Sequence, residues 1–254
     1  MDEVHYLYLR PQQFLDRINR VPVGYLPLGT LEWHGFHMPL GADAIQSHGI
    51  MEILAKEFGG VVFPPLFLGP DIEDGKGHYG MDICSFLEGK AEQLEGSCYQ
   101  VSDELFGSII CRIAENARRA GIRILVAHGH GPSMNYVRTH QKDFAIPIYT
   151  FFDIGLPEGP EGLMADHAAA NETSLTMALY PGLVDLKEIE GFGYPLASWG
   201  KDPRTEASPE FGASLIRKNV DKAKESLVAI LSTLDKRGPL KMEHTREHVK
   251  DLLS

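Results

Sequence analysis

Apolar residues follow two different periods along this chain, and each period predicts its own kind of element. In 21–29, VPVGYLPLG, nearly every position is apolar and Pro and Gly mark the ends, which predicts a strand buried on both faces. From Ala42, the run DAIQSHGIMEILAKEF repeats its apolar residues at helical spacing and stops at Gly59-Gly60, as a helix does. Ahead of both, Pro11 suits the first turn of a short helix through QQFLDRINR. GVVFPPLFLG predicts a second short strand. The segment 70–97, rich in Gly and charge and without clear period, predicts a loop or flap.

The second half repeats the alternation. SDELFGSIICRIAENARRAG predicts a helix with Ser102 as its N-cap and Gly121 as its stop. IRILVAHGHG (122–131) follows as a β-branched strand running into a Gly-His turn, and IPIYTFFDIG predicts another strand. The segment 167–180 predicts a helix ended by Pro181-Gly182, and 208–235 a long amphipathic one. Strands alternating with helices predict an α/β fold: a layered, mostly parallel sheet with helices on both faces. No repeat, low-complexity tract or linker interrupts the pattern, so residues 1–254 are expected to form one domain.

Composition narrows the partners. With 43% apolar residues the chain can build an ordinary core. Its 24 basic residues face 35 acidic ones, a net charge of -11, which argues against a protein that tracks nucleic-acid phosphates. Arg118-Arg119 reads as the solvated end of a helix. No stretch has the roughly 18 to 20 unbroken apolar residues that span a bilayer, and MDEVHYLYLR lacks the basic-then-apolar layout of a signal peptide. Cys84, Cys98 and Cys111 form no CxxC pair and are expected to be buried thiols in a reducing cytoplasm. The expectation is a cytoplasmic protein with no membrane partner.

Candidate chemistry gathers in three places, each just after a predicted strand or at a helix start, where sites collect in open α/β sheets. The first is Glu32-Trp33-His34-Gly35-Phe36-His37, with Asp43 closing the same turn; the second is His128-Gly129-His130-Gly131; the third is Asp166-His167-Ala168-Ala169-Ala170-Asn171-Glu172. A single His in a turn is an ordinary structural feature. Carboxylate, imidazole and carboxylate close together, followed by two more such clusters, are hard to explain as packing.

At these residues the sequence resembles the creatininase family. LGTLEWHGFHMPLGADA is similar to that family's Glu-x-His-Gly-x-His-x-Pro-x-Gly-x-Asp signature, AHGHGPS to its Asn-Gly-His-Gly segment, and HAAANETSLTMALYPGLVDL to its His-Ala-Gly-x-x-Glu-Thr-Ser helix, all in the family's order. The resemblance implies a site for two divalent metal ions (zinc, manganese or iron) sharing one carboxylate. Glu32, Asp43 and His130 would hold one ion; His34, Asp43 and a further carboxylate would hold the other. In creatininase a Glu stands two residues past the His that matches His130, whereas here Pro132 stands there and cannot ligate. Glu172 is the expected replacement. Charge balance favours it: two ions bring four positive charges, three carboxylates supply three negative ones, and a bridging hydroxide the fourth.

The implied activity is an amidohydrolase cleaving a non-peptide C–N bond of a small cyclic amide or formamide. Two ions about 4 Å apart would lower the pKa of bound water from about 16 to about 7. His167 matches the family's proton donor to the leaving nitrogen, and Asp166 is expected to orient it. His37 and His128 stay open between support, substrate contact and plain structure, and Trp33 and Phe36 between packing and substrate stacking. A metallopeptidase, a formamide deformylase, or a metal-binding relative that has lost its chemistry are the alternatives. The partners expected are a small amide substrate and, by the resemblance, further copies of the chain in a hexamer. His244-Thr245-Arg246-Glu247-His248 fits an inverted zinc-peptidase pattern, but its surroundings are nearly all polar, and a solvated C-terminal helix is the expectation.

Overall fold

The computed structural model describes residues 3–84, 91–157, 159–191, 193, 197–242 and 250. Helix α1 (Pro11–Arg20) leads into strand β1 (Val23–Leu28), followed by α2 (Ala42–Glu57), β2 (Val61–Val62) and the short α3 (Met81–Cys84). Then come α4 (Asp103–Arg119), β3 (Ile124–Gly129), α5 (Gly131–Thr139), β4 (Ile148–Thr150), the one-turn α6 (Phe151–Ile154), α7 (Ala170–Leu179), the one-turn α8 (Pro203–Glu206) and α9 (Pro209–Ser232). The four strands form a parallel sheet in the order β2-β1-β3-β4, with Val23 beside Ile124 and Leu28 beside Gly129.

Side chains alternate across a strand, so a sheet covered on both faces needs apolar residues at every position. β1 meets that demand: all six residues are buried. Val23 and Tyr25, with Val62 and Val126, pack against α2, α7 and α9 through Ile50, Leu54, Leu175, Leu215 and Val220. Leu26 and Leu28, with Val61 and Leu125, face the other way onto α1, α4 and α5 through Phe14, Ile18, Phe106, Ile110 and Val137. On α4, Phe106, Ile110, Ala114 and Ala117 form the buried stripe, and the Ser102 hydroxyl accepts from the Leu105 N–H. Such a cap contributes about 1 kcal/mol.

Several elements are shorter than the apolar pattern predicts, each for a local reason. GVVFPPLFLG gives only two strand residues, because Pro64 and Pro65 have no N–H to offer a ladder. IPIYTFFDIG pairs only over 148–150: the Asp153 carboxylate takes both the backbone N–H (2.6 Å) and the hydroxyl (2.8 Å) of Thr150 and starts a helical turn. The helix expected from 167 begins at Ala170. Gly131-Pro132, a turn by its composition, opens α5. Cys98 is exposed and Cys111 half-buried, so the expectation of buried thiols fails for both, and the Cys84 side chain lies outside the described residues. The segment His244–His248 lies outside them as well. Among the described residues no helix is long and apolar enough to cross a membrane.

In this strand order the chain moves from β1 to β2 on one side and then crosses to β3 on the other. The reversal leaves a crevice beyond the carboxyl ends of β1 and β3, where ligands bind in open sheets. Gly129 makes the turn out of β3 with φ +133°; a Cβ there would sit 1.8 Å from the Leu28 carbonyl oxygen. Only glycine fits.

Candidate metal centre

The loop after β1 carries Glu32 and His34, the first turn of α2 carries Asp43, and the residue after β3 is His130. All four are buried, as is Glu172 in the first turn of α7. Glu32, Asp43 and His130 bring one ligand atom each within 4.8 Å of one another; so do His34, Asp43 and Glu172. Glu32, His34 and His167 form a third such group, and Asp43 is the residue that the first two share. The five residues singled out in the sequence therefore converge on one place.

The two imidazoles are fixed by what their Nδ1 atoms touch. The His34 Nδ1–H donates to the Glu32 carbonyl (3.2 Å), leaving Nε2 3.2 Å from Asp43 Oδ1 and 3.7 Å from Glu172 Oε2. His130 Nδ1 lies 2.9 Å from Ser133 Oγ, leaving Nε2 3.6 Å from Glu32 Oε1, with no hydrogen-bond partner. A neutral imidazole tied at Nδ1 presents a lone pair at Nε2, the usual ligand atom. Each Nε2 faces carboxylates, an arrangement that calls for positive charge between them.

The carboxylates are short of cations. Among the described residues no Lys or Arg pairs with Glu32, Asp43 or Glu172. Burial pushes Glu32 up to about 8, with the Asp43 charge adding to the effect, and drives Glu172 well above its ordinary range. Burial acts on Asp43 in the same sense, but the His34 charge beside it holds its carboxyl low. Against burial, the Asp43 charge lifts His34 to about 10, and the Glu32 charge lifts His130 to about 8. Protons here stand in for missing positive charge, and divalent ions fit the same places.

His167 is buried beside this centre, stacked between His34 (4.3 Å between ring centroids) and Trp199 (4.6 Å). Its Nε2–H donates to the Trp33 carbonyl (2.8 Å). Burial, helped by the charge on His34, lowers its pKa to about 3. Asp166 does not touch this ring. Its carboxylate accepts from the N–H groups of Asn171 (2.8 Å) and Glu172 (3.1 Å), capping α7 and delaying the helix start to Ala170. The orientation expected of Asp166 is supplied by Trp33. Ala168, between them, adopts φ +50°, which costs a non-glycine residue about 1–3 kcal/mol. The kink aims its N–H at Glu172 Oε2 (2.8 Å).

The remaining candidates separate. His37 Nε2 meets Thr173 Oγ1 (2.9 Å), next to Glu172, and burial lowers its pKa to about 4. His128 points into the core against Phe151 (5.0 Å), with neither ring nitrogen partnered. Trp33 donates to the Glu95 carbonyl (2.7 Å) and meets Phe36 edge-on at 4.9 Å, holding the flap over the loop after β1. Two residues at the centre carried no motif. Trp199 pairs its backbone with His167, and Asp71, from the flap, reaches within 3.5 Å of His130 Nε2. Periodicity could find neither; only the excess of charge in 70–97 hinted at Asp71.

The cavity over these groups has a volume of about 240 Å³ and is lined by Glu32, Asp43, His130, His167, Glu172 and Trp199, among others. Comparison with known proteins identifies the family and the fold. The family model described as creatinine amidohydrolase matches residues 8–227. The chain is 25% identical over 185 residues to the creatinine amidohydrolase of Pseudomonas putida, an alignment spanning 65% of this chain and 66% of that relative's length. A crystal structure of creatinine amidohydrolase superposes with a TM-score of 0.68 at 21% identity, covering 92% of this chain and 100% of that one. A manganese creatininase gives 0.65 at 22% identity over 90% and 98%, and a mutant creatininase complexed with creatine gives 0.64 at 23% identity over the same shares. At these identities the structures speak for the fold, and it is the family model, matching most of the chain, that shows this protein to be a member of the creatininase family.

Proposed function

We propose that this protein is a metal-dependent amidohydrolase that cleaves a non-peptide C–N bond of a small cyclic amide or formamide. One observation carries the reading: two buried carboxylate–imidazole groups share Asp43, and both imidazoles are tied at Nδ1 with Nε2 turned towards carboxylates. Glu32, Asp43 and His130 would hold one divalent ion and His34, Asp43 and Glu172 the other. Relatives of the same fold have been solved as a manganese form and a Zn-Zn form. When bound, such ions acidify water and polarise a carbonyl oxygen.

The chain's own residues supply the rest. The Nε2 proton of His167 is committed to the Trp33 carbonyl, so Nδ1 is the nitrogen left to take a proton. It can collect one from the attacking water and pass it to the leaving nitrogen, which departs as a neutral amine. Stacking between His34 and Trp199 keeps the ring in one orientation throughout. The flap and Trp199 line the cavity, and its 240 Å³ is below the roughly 300–1,000 Å³ typical of drug-sized ligand pockets. That size favours a small amide over an extended peptide.

The test is a substrate panel on manganese- or zinc-loaded protein: creatinine, other small cyclic amides, formamides and short peptides. Turnover of a small amide that stops with a chelator and returns with metal is the expected result. Peptide cleavage without small-amide turnover would overturn the substrate class, and protein that binds no divalent ion would overturn the reading altogether.

A further inference from the structure

Pro132 leaves the family's ligand-position Glu without a direct substitute on α5. Glu172 fills in on the side of His34, but the group around His130 then has only Glu32 and the shared Asp43. One more carboxylate reaches that side. The flap residues 71–80 fold into a small hairpin: Gly80 N–H donates to the Ile72 carbonyl (3.0 Å), Asp74 N–H to the His78 carbonyl (3.3 Å), and Glu73 pairs with Tyr79. Asp71 stands at the base of this hairpin with its side chain only 6% exposed. The Ile72 N–H occupies Oδ1 (2.8 Å), while Oδ2 lies 3.5 Å from the unpartnered Nε2 of His130.

The neighbouring glycine makes this reach possible. A Cβ on Gly80 would sit 2.1 Å from Asp71 Oδ2, and Gly80 turns with φ +46°. The other charged residues of the hairpin stay out: Asp74 pairs with His78 (2.7 Å), and Glu73 and Lys76 are exposed. Among the described residues no Lys or Arg pairs with Asp71.

Resting on the reading of the centre as a two-metal site, we propose that Asp71 is a ligand of the ion held by Glu32 and His130. It would be an additional carboxylate delivered by the flap on the His130 side, while Glu172 stands in for the Glu that Pro132 excludes. Charge balance then changes. Glu32, Asp43, Glu172 and Asp71 bring four negative charges, matching two divalent ions without requiring a hydroxide for neutrality. The hairpin 71–80 thereby becomes part of the metal centre.

The test is competition dialysis of wild-type protein and Asp71→Asn against a chelator, with manganese or zinc, counting bound ions by mass spectrometry. Wild type should hold two ions. Asp71→Asn should keep one and lose affinity for the other by more than about 100-fold, beyond the 10–100-fold that losing an outer hydrogen-bond partner costs. Asp71→Glu, which keeps the carboxylate, should recover part of that loss; this separates ligation from misfolding, which melting curves of both variants check. Asp71→Asn binding both ions with wild-type affinity would overturn the assignment, as would a change in KM alone, which marks a substrate contact. Equal weakening of both ions would overturn it too. Wild type holding no ion at all would instead sink the two-metal reading beneath it.

Discussion

Two clusters in this protein are built from the same kinds of side chain and differ in almost everything else. His5, His48 and Glu52 bring their ligand atoms as close together as the central groups do, within 4.8 Å. There the rings of His5 and His48 stack at 4.9 Å, Glu3 Oε1 takes the His5 Nδ1 (2.7 Å), and Glu52 has Lys56 as a counter-ion. All three residues are half-buried, so water and a lysine meet the charge. In the centre, buried carboxylates face imidazoles with no lysine or arginine to balance them among the described residues. Composition alone does not make a metal site. What distinguishes one is unbalanced charge held away from solvent.

The comparison can be broken most severely at its shared carboxylate. Asp43→Ala should drop the metal content from two ions to none and abolish turnover, while His48→Ala should leave both unchanged. Elemental analysis of the two purified variants checks this, and loss of metal from His48→Ala would erase the distinction. Next in size, His167→Ala should keep both ions and lower kcat by about 10²–10⁴, the usual contribution of a positioned proton carrier. Steady-state kinetics on the metal-loaded variant would expose full activity if His167 is a bystander.

Smaller effects sharpen the contrast. Asp166→Ala removes a cap, and about 1 kcal/mol of stability should go with it in urea denaturation. Affinity for the ion beside Glu172 should also weaken by about 10-fold or more, measured by chelator competition. A last effect reads burial, aided by the charge on His34. Folded His37 stays neutral to about pH 4, whereas in the unfolded chain it titrates near about 6.5. As the pH falls between those values the unfolded chain binds a proton that the folded one refuses, so stability falls. His37→Gln should flatten that slope in denaturation curves of metal-free protein at pH 7 and pH 5; an unchanged slope would show that other groups set it.

How much was legible in the sequence follows from how local each signal is. Glu32, His34, Asp43, His130 and Glu172 stand in motifs tied to strand ends and helix starts, so their convergence could be expected before any coordinates. The Ser102 cap and the stripe of α4 were equally plain. Asp71 was not, because its place depends on a hairpin closed by backbone bonds and on a missing Cβ at Gly80, neither of which has a period. The start of α7 shifted for a related reason: 167–169 are helix-compatible by composition, and the grip of Asp166 on two backbone N–H groups, the His167–Trp199 backbone pair and the left-handed φ of Ala168 hold them out of the helix. Helix α5 stayed hidden behind Gly131-Pro132, where the same residues serve a turn or a first helical turn.

The left-handed kink at Ala168 has a consequence for anyone reshaping this scaffold. One peptide unit joins His167 to the Ala168 N–H that steadies Glu172, while the Ser198 hydroxyl donates to the Ala168 carbonyl at 2.8 Å. The placement of the His167 ring and that of the Glu172 carboxylate are thus geared to each other through a single backbone joint. A graft that changes the loop ahead of it can alter what enters the cavity, but one that relaxes this joint displaces both side chains at once.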